Sequence, residues 1–292
     1  MKNKWFVRIA LLPIVILFMI FMVLPIISGF VIATFDYNPL RAENSFIGFY
    51  NFIKLFNDAL FMKSLKNTLT FVFITVTLNI VICLFLASLI TSLRSKKLRS
   101  LFRVIFFMPC VAPLVASSTV WRGIYSPKYG LLNNFMENVL HVPAINWLGT
   151  PEYLIPSIIL FTLWADIGYN IILLSAGMEG IPSDFYESAE MDGSGTIKKF
   201  FFITLPLLGR TLSFVVAMTI ISHFQMFAQF QVLAGRNGGP NQSGNVLTYY
   251  IYKTAFQTKD MGYASAIALA LFAIIMIVTI VQQRLSRVDW GY

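Results

Sequence analysis

The chain has 292 residues, of which 57% are hydrophobic and only 12% are charged, and its formal net charge is +9. Charged residues supply about a quarter of an ordinary soluble domain, so half that share argues against a water-soluble fold. The basic balance by itself would suit a nucleic-acid-binding protein, but the positions of the charges described below do not.

Long apolar runs dominate the sequence. A transmembrane helix needs roughly 20 mostly apolar residues, whereas a membrane β-barrel is built from roughly ten-residue alternating segments. The runs here are continuous, so we predict an all-α integral membrane protein with six transmembrane helices. The predicted spans lie at about 9–33, 69–92, 104–124, 154–176, 207–233 and 263–283.

The first apolar run follows a basic start, as in a signal peptide. It is too long for an ordinary signal sequence and no A-x-A-like cleavage site follows it. We therefore expect it to persist as a first helix, peripheral to a core at about 66–284.

Lysine and arginine cluster near alternate membrane ends. The positive-inside rule then predicts cytoplasmic N and C termini and a cytoplasmic loop at 177–206. The basic residues that lead to this topology are Lys2, Lys4, Arg8, Arg94, Lys96, Lys97, Arg99, Arg103, Lys198, Lys199, Arg210, Arg284 and Arg287.

Polar side chains form stripes within three predicted spans. Each stripe falls on one helical face, and polar groups against lipid are costly. For any one residue, interhelical hydrogen bonding worth about 0.6 kcal/mol is the favoured interpretation. Three stripes together indicate that some of them face a polar passage. The stripes are Thr75 and Asn79; Thr162, Asp166 and Asn170; and Ser222, Gln225 and Gln229.

Residue patterns for catalysis are missing from the sequence. Its two histidines, His141 and His223, lack metal-ligand spacing, and no phosphate-binding G-x-x-x-x-G-K-[ST] loop occurs. Cys83 and Cys110 lie in apolar segments, where a small buried hydrophobe is the expected role. We expect no enzyme activity, no metal and no cofactor in this chain.

The segment "YESAEMDGSG" is an acidic interruption between two apolar spans. Pro182 and Ser183, the latter a candidate N-cap, predict the start of a short helix, and Gly193 predicts its end. A second amphipathic segment follows at about 197–205, before Pro206. This helix–turn–helix is either a simple connector or a docking surface, and its combination of carboxylates with an apolar side favours docking.

The same loop carries a resemblance. Glu187-Ser188-Ala189, Asp192-Gly193 and Leu205-Pro206 resemble the E-A-A…G…I-x-L-P loop of membrane subunits of binding-protein-dependent ABC importers, with departures at Ser188 and Arg210. The resemblance implies a coupling helix that sits in a cleft of an ATPase subunit. The implied coupling residues are Ser183, Asp184, Tyr186, Glu187, Ser188, Ala189, Met191, Asp192 and Gly193.

Further segments resemble the carbohydrate branch of that family, which includes maltose-, glycerol-phosphate- and oligosaccharide-type permeases. They are "WRGIYSPKYGLLN", "GGP" and "YYIYKTAF". The resemblance implies a type I ABC importer permease fold in one domain, 1–292, in the bacterial cytoplasmic membrane. It also implies a second permease, two ATPase subunits that bind ATP and Mg, and a di- or oligosaccharide substrate. An extracytoplasmic solute-binding protein would dock at Arg236, Gly238, Gly239 and Pro240.

Sugars suit neutral polar and aromatic contacts. The candidate pathway residues are Asn79, Trp164, Asp166, Asn170, Gln225 and Gln229. Two alternatives remain open at this point. A stand-alone secondary transporter or channel would use Asp166 as its ion or proton site but gives no account of the patterned loop. A membrane scaffold gives no account of the polar stripes.

Overall fold

The computed structural model, which describes residues 3–286, is helical almost throughout. Two short strands pair antiparallel, with Phe35 opposite Phe46. π-helical turns interrupt the helices at Met19–Val23, Phe200–Thr204 and Lys253–Gln257. The elements are α1 Asn3–Phe18, α2 Leu24–Ala33, β1 Phe35–Asp36, β2 Ser45–Phe46, α3 Tyr50–Asn57, α4 Ala59–Ser92, α5 Lys96–Val111, α6 Leu114–Ile124, α7 Leu131–Val139, α8 Pro151–Glu179, α9 Asp184–Met191, α10 Thr196–Lys199, α11 Leu205–Leu207, α12 Gly209–Phe224, α13 Ala228–Leu233, α14 Leu247–Tyr252 and α15 Met261–Leu285.

Within the described residues, five helical stretches are long and apolar enough to cross a membrane, and a bent pair makes six if it counts as one span. The all-helical membrane class is therefore confirmed. The stretches are Arg8–Ala33, Ala59–Ser92, Pro151–Glu179, Gly209–Leu233 and Met261–Leu285, with α5 and α6 as the bent pair.

The predicted span at 104–124 is interrupted within its length, where the prolines at 109 and 113 favour a kink in the sequence, and the interruption is a sharp bend. α5 and α6 meet at an angle of 94°. The backbone at Ala112 is extended, with ψ of 138°. A residue before proline is pushed out of the helical region, and Pro113 has no amide hydrogen to continue the helix. Pro113 therefore breaks the helix, and Pro109 remains inside α5.

The predicted span at 207–233 is present as Gly209–Leu233, but its helix is interrupted between α12 and α13. Phe227 has φ −131° and ψ −51°, outside the helical region. The amide of Gln225 bonds to the carbonyl of Ser222 at 3.1 Å, as in a tightened last turn. The single helical face predicted for Ser222, Gln225 and Gln229 is consequently wrong, because the helix ends among them.

The first of two compact units contains the described residues 3–64 together with 247–273. Asp58 joins three elements of this unit through hydrogen bonds. One carboxylate oxygen accepts the hydroxyls of Tyr250 at 2.5 Å and Tyr263 at 2.6 Å, and the other accepts the amide of Leu60 at 2.8 Å. Asp58 thus caps the first turn of α4 and holds α14 and the start of α15 against it.

We expect Asp58→Asn to lower stability at neutral pH and to flatten its acid dependence. Burial raises the pKa of Asp58, but the hydrogen bonds from Tyr250, Tyr263 and the amides of Phe61 and Leu60 together bring it below its ordinary value. A lowered folded-state pKa contributes stability above the unfolded value of about 3.9, and that contribution is lost as the pH falls through the folded value. Thermal unfolding between about pH 7 and pH 3 measures the effect. An unchanged pH profile in the variant would contradict it.

The second unit contains residues 65–246 together with the described part of 274–292. Its core packs α4, α8 and α12 against one another through Cys83, Leu174, Met178 and Val215. α5 crosses α8 at Gly168, where an added Cβ would contact the carbonyl of Phe106 and lie 2.7 Å from the Cα of Phe107. This close crossing fixes the broken span against α8.

Gly168→Ala is expected to destabilise the protein by about 1–3 kcal/mol, the usual result of overpacking a close contact. Gly123→Ala in α6 is the matched control, because nothing lies within 4 Å of its added Cβ. Replacing a helical glycine by alanine in open space is neutral or slightly stabilising. Thermal unfolding of the two variants in lipid nanodiscs gives the comparison, and equal melting temperatures would contradict the close crossing.

Candidate functional site

The acidic loop folds into the short helix α9, whose start differs in one detail from the expectation. Ser183 occupies the N-cap position but has helical φ and ψ and makes no side-chain cap bond. Its hydroxyl lies 3.4 Å from the Asp184 carboxylate instead. The prediction that the Ser183 side chain caps α9 is therefore wrong. With helical backbone angles, Ser183 does not direct its hydroxyl to the unbonded amides of the first turn.

The predicted helix end at Gly193 is confirmed. Gly193 has φ +72°, and the amide of Ser194 bonds to the carbonyl of Ala189 at 2.8 Å. A left-handed residue followed by such a backward bond is a common C-terminal motif, which glycine adopts without steric cost. Gly193 thus turns the chain from α9 toward α10.

Two side-chain hydrogen bonds fix the inner edge of α9. The Tyr186 hydroxyl bonds to the Thr204 hydroxyl at 2.9 Å, and Thr204 is buried. Across the turn, Lys199 donates to Glu190 at 2.6 Å, and this bond lowers the pKa of the Glu190 carboxyl. Sequence reasoning missed Thr204 and Lys199 as partners of the helix, since both come after the turn.

The outer edge of α9 is exposed to solvent. Asp184, Phe185, Glu187, Ser188 and Met191 all belong to it, and Met191 is 83% exposed. Beyond the turn, Ile197 and Phe202 are 76% and 79% exposed. Carboxylates beside exposed apolar side chains form a surface suited to a protein partner.

A second site is a cavity of about 520 Å³ in the second unit. Its wall includes both breaks, the one between α5 and α6 and the one between α12 and α13, and the face of α8 between them. Non-helical backbone at membrane depth is tolerated where it lines a cavity, and broken helices are typical of binding sites in transporters. The polar lining residues are Ser117, Thr162, Asp166, Ser222, Gln225 and Gln229.

Two polar atoms at this cavity have no hydrogen-bond partner among the described residues. They are Thr162 Oγ1 and Gln229 Oε1, on side chains that are each about 1% exposed. Buried polar atoms in proteins are nearly always hydrogen-bonded, so these two call for a ligand or water. They are therefore candidate hydrogen-bonding groups for a molecule that enters the cavity.

Asp166 faces His223 at this cavity. His223 Nδ1 lies 2.8 Å from the carbonyl of Thr219, so Nδ1 carries a proton and donates it. Nε2 points to the Asp166 carboxylate at 3.7 Å. A proton on either Nε2 or the carboxyl makes this approach attractive. Sequence reasoning identified Asp166 but not its partner, because His223 comes from a different predicted span.

Asn79 and Asn170 lie outside the cavity lining. Asn170 donates to Asn79 at 2.8 Å and to Thr219 at 3.0 Å, so the three residues tie α4, α8 and α12 together. Trp164 packs against Trp121, with ring centroids 5.4 Å apart. The role predicted for Asn79, Asn170 and Trp164 in contacting a substrate stays a prediction.

The segment predicted to dock a binding protein forms a tight turn. Gly238 and Gly239 have φ of +73° and +79°, and a 3-10 turn begins at Pro240. Asn67 donates to the carbonyls of Gln242 and Asn245 at 3.2 and 3.1 Å and so anchors the turn. Arg236, which precedes this turn, also takes part in a side-chain or backbone interaction.

Comparisons with known proteins agree with this architecture. Residues 79–288 match the family model of the binding-protein-dependent transport system inner membrane component. The chain belongs to this family. It is 32% identical to the probable ABC transporter permease protein YurN of Bacillus subtilis, with 98% of this chain and 97% of that protein covered. It is 31% identical to the trehalose/maltose transport system permease protein MalF of Thermococcus litoralis, covering 96% and 92%.

A solved structure shares the fold of this ABC permease. It is a bacterial alginate ABC transporter in complex with an alginate pentasaccharide-bound periplasmic protein, matched with a TM-score of 0.87 at 24% identity over 98% of this chain and 95% of that one. The expected type I ABC importer permease fold is confirmed. The resemblance stated from the loop residues is confirmed with it.

Proposed function

We propose that this chain is a permease subunit of an ATP-driven importer that carries a di- or oligosaccharide across the bacterial cytoplasmic membrane. The cavity between the two broken helices carries the proposal. Its polar lining is neutral apart from Asp166, and the unpartnered Thr162 and Gln229 offer hydrogen bonds to hydroxyl groups. Among the relatives, the arabinooligosaccharides permease AraP of Bacillus subtilis is 32% identical over 94% of this chain and 86% of its own length.

Gln225, Gln229 and Asp166 are then the first contacts for sugar hydroxyls. Each amide both donates and accepts, and a carboxylate accepts from hydroxyls. Asn79, Asn170 and Trp164 would act further along the pathway, exposed when the helices move.

The loop at 177–206 is proposed to transmit ATP-driven closure. Asp184, Glu187, Ser188 and Met191 would contact the cleft of an ATPase subunit, and Gly193 would set the turn that presents them. ATP and Mg are then held by the partner ATPases, and this chain performs no catalysis. A rigid link from α9 to Thr204 through Tyr186 suits the transfer of a pulling motion to the bundle.

The assembled importer would contain this chain, a second permease, two ATPase subunits and an extracytoplasmic binding protein docked near Arg236, Gly238, Gly239 and Pro240. Six spans with cytoplasmic termini would form one permease domain over 1–292, with α5 and α6 together as one span. Labelling of single cysteines placed at Lys97 and at Lys198 tests this topology, since both must react only from the cytoplasmic side.

The test of the function is uptake by proteoliposomes that contain this chain, its second permease and its ATPases. Labelled neutral disaccharides are supplied with the binding protein, with and without internal ATP. ATP-dependent uptake supports the proposal. Uptake that continues without ATPases and collapses with the proton gradient would instead establish a stand-alone transporter, an alternative that none of the comparisons supports.

A further inference from the structure

A larger cavity, of about 960 Å³, lies in the second unit behind the coupling helix. Its wall is formed by the ends of α4 and α8, the start of α5, and the segment from Ser183 to Thr204. Tyr186 and Glu190 of α9 line the cavity, as does Ser183 just before that helix. These positions, three and four residues apart, form one edge of α9, whereas Glu187 and Met191 lie on the exposed edge.

The cavity is basic. Its charged lining residues are Lys96, Arg99, Arg103 and Lys199 against Glu179 and Glu190, four cations against two carboxylates and a formal balance of +2. Arg99 and Arg103 share Glu179, at 3.3 and 2.6 Å, and Lys199 is paired with Glu190. Lys96 has no ion pair within residues 3–286. The pocket therefore holds one cation without a counter-ion and two guanidinium groups on a single carboxylate.

Hydroxyl groups supply most of the remaining polar wall, among them Ser88, Thr91, Ser92 and Ser100. Guanidinium, ammonium and hydroxyl donors around one space form the donor set that phosphate oxygens bind. A neutral or cationic ligand would leave the positive charge of the cavity wall without a counter-charge. The chemistry of the wall therefore favours a phosphate-bearing anion.

The position of the cavity favours a lipid as the source of that phosphate. It lies where two candidate spans end, at Ser92 and at Glu179. On the other side of α5, Leu98, Leu101 and Ile105 are 45%, 52% and 50% exposed and suit contact with acyl chains. Basic pockets between transmembrane helices on the cytoplasmic side bind anionic headgroups.

We propose that this cavity binds the headgroup phosphate of an anionic phospholipid. The bound headgroup supports α9 from behind through the wall that Tyr186, Glu190 and Lys199 contribute. The anion would thereby set the position of the coupling helix independently of substrate. This inference goes beyond the proposed import function and uses it only to place the cavity at the cytoplasmic face.

Lys96→Glu tests the proposal, with Lys97→Glu as the matched control. The two lysines are neighbours on α5 and both are exposed, but only Lys96 lines the cavity. The transporter is assembled in nanodiscs of equal parts phosphatidylcholine and phosphatidylglycerol, and the phosphatidylglycerol retained after detergent extraction is counted by native mass spectrometry. Because one cation near the membrane surface contributes about 1 kcal/mol, we expect Lys96→Glu to retain at least about fivefold less, and Lys97→Glu to match the wild type. Equal retention in all three proteins would overturn the proposal.

Two further measurements distinguish an anionic lipid from other occupants of the cavity. Inorganic phosphate is added as a soluble competitor, and displacement of the retained lipid only at concentrations far above physiological supports a lipid site. Displacement at low concentration would assign the cavity to a soluble phosphate compound and overturn the lipid. Loss of ATPase subunits from Lys96→Glu with lipid retention unchanged would make the cavity a protein contact, which also overturns it.

Discussion

Gly193→Val is expected to lower ATP-driven uptake about tenfold while leaving expression of the permease unchanged. Gly193 has φ +72°, and an added Cβ there meets nothing within 4 Å. The only penalty is therefore the backbone strain of a left-handed residue, about 1–2 kcal/mol and at its worst for a β-branched side chain. The chain relieves that strain by leaving the left-handed turn, which moves α9 away from the position that presents Glu187 and Met191. A shift of about 1.4 kcal/mol corresponds to a tenfold loss of the competent loop.

Gly195→Val is the control for this prediction. Gly195 lies two residues away in the same turn, and its added Cβ also meets nothing, but its φ is −73°. Valine adopts that conformation without strain. Uptake and copurification of the ATPase subunits are measured for both variants. Equal loss in both would attribute the effect to side-chain bulk in the docking cleft, and normal uptake by Gly193→Val would remove Gly193 from the coupling role.

The positions of most helices, including α9, could be predicted from the sequence because their causes are local. A long apolar run determines a span regardless of its neighbours, and Gly193 ends α9 through its own left-handed backbone. The break at 225–227 had no such signal. No proline or glycine occurs in Gln225, Met226 and Phe227, so no residue type there marks the end of that helix. Pro113 did indicate an interruption of its helix, but a proline in a sequence does not distinguish a gentle kink from the observed bend of 94°.

The stripe Thr162, Asp166 and Asn170 was predicted correctly as one face of α8 but could not be assigned to a passage or to packing. Thr162 and Asp166 line the cavity, whereas Asn170, on the same helix face, bonds to Asn79 and Thr219. The difference arises from the bend of α5 and α6, which opens space beside Thr162, and from the close packing of α4 and α12 near Asn170. Only the relative positions of helices far apart in sequence decide which of these polar residues a ligand can reach.

His223→Leu is expected to destabilise the protein by about 1–2 kcal/mol. The change removes the imidazole that faces the Asp166 carboxyl at 3.7 Å, and a buried polar group that loses its partner costs about 1–3 kcal/mol. The lower part of that range applies here, since the Asp166 side chain is 38% exposed. No lysine or arginine lines this cavity within the described residues, so neither of these residue types takes the place of the imidazole. Thermal unfolding in nanodiscs measures the loss.

The double variant His223→Leu/Asp166→Asn is the decisive comparison. Its neutral amide needs no counter-charge, so we expect most of the stability lost by His223→Leu to return, and a double-mutant cycle then gives a coupling energy above about 1 kcal/mol. Asp166→Asn alone completes the cycle. Loss of the stacking of His223 on Phe71, whose ring centroids are 6.2 Å apart, occurs in both leucine variants and cancels. If the two single effects simply add, Asp166 and His223 do not share a proton, and the cavity wall presents an isolated carboxylate to the substrate.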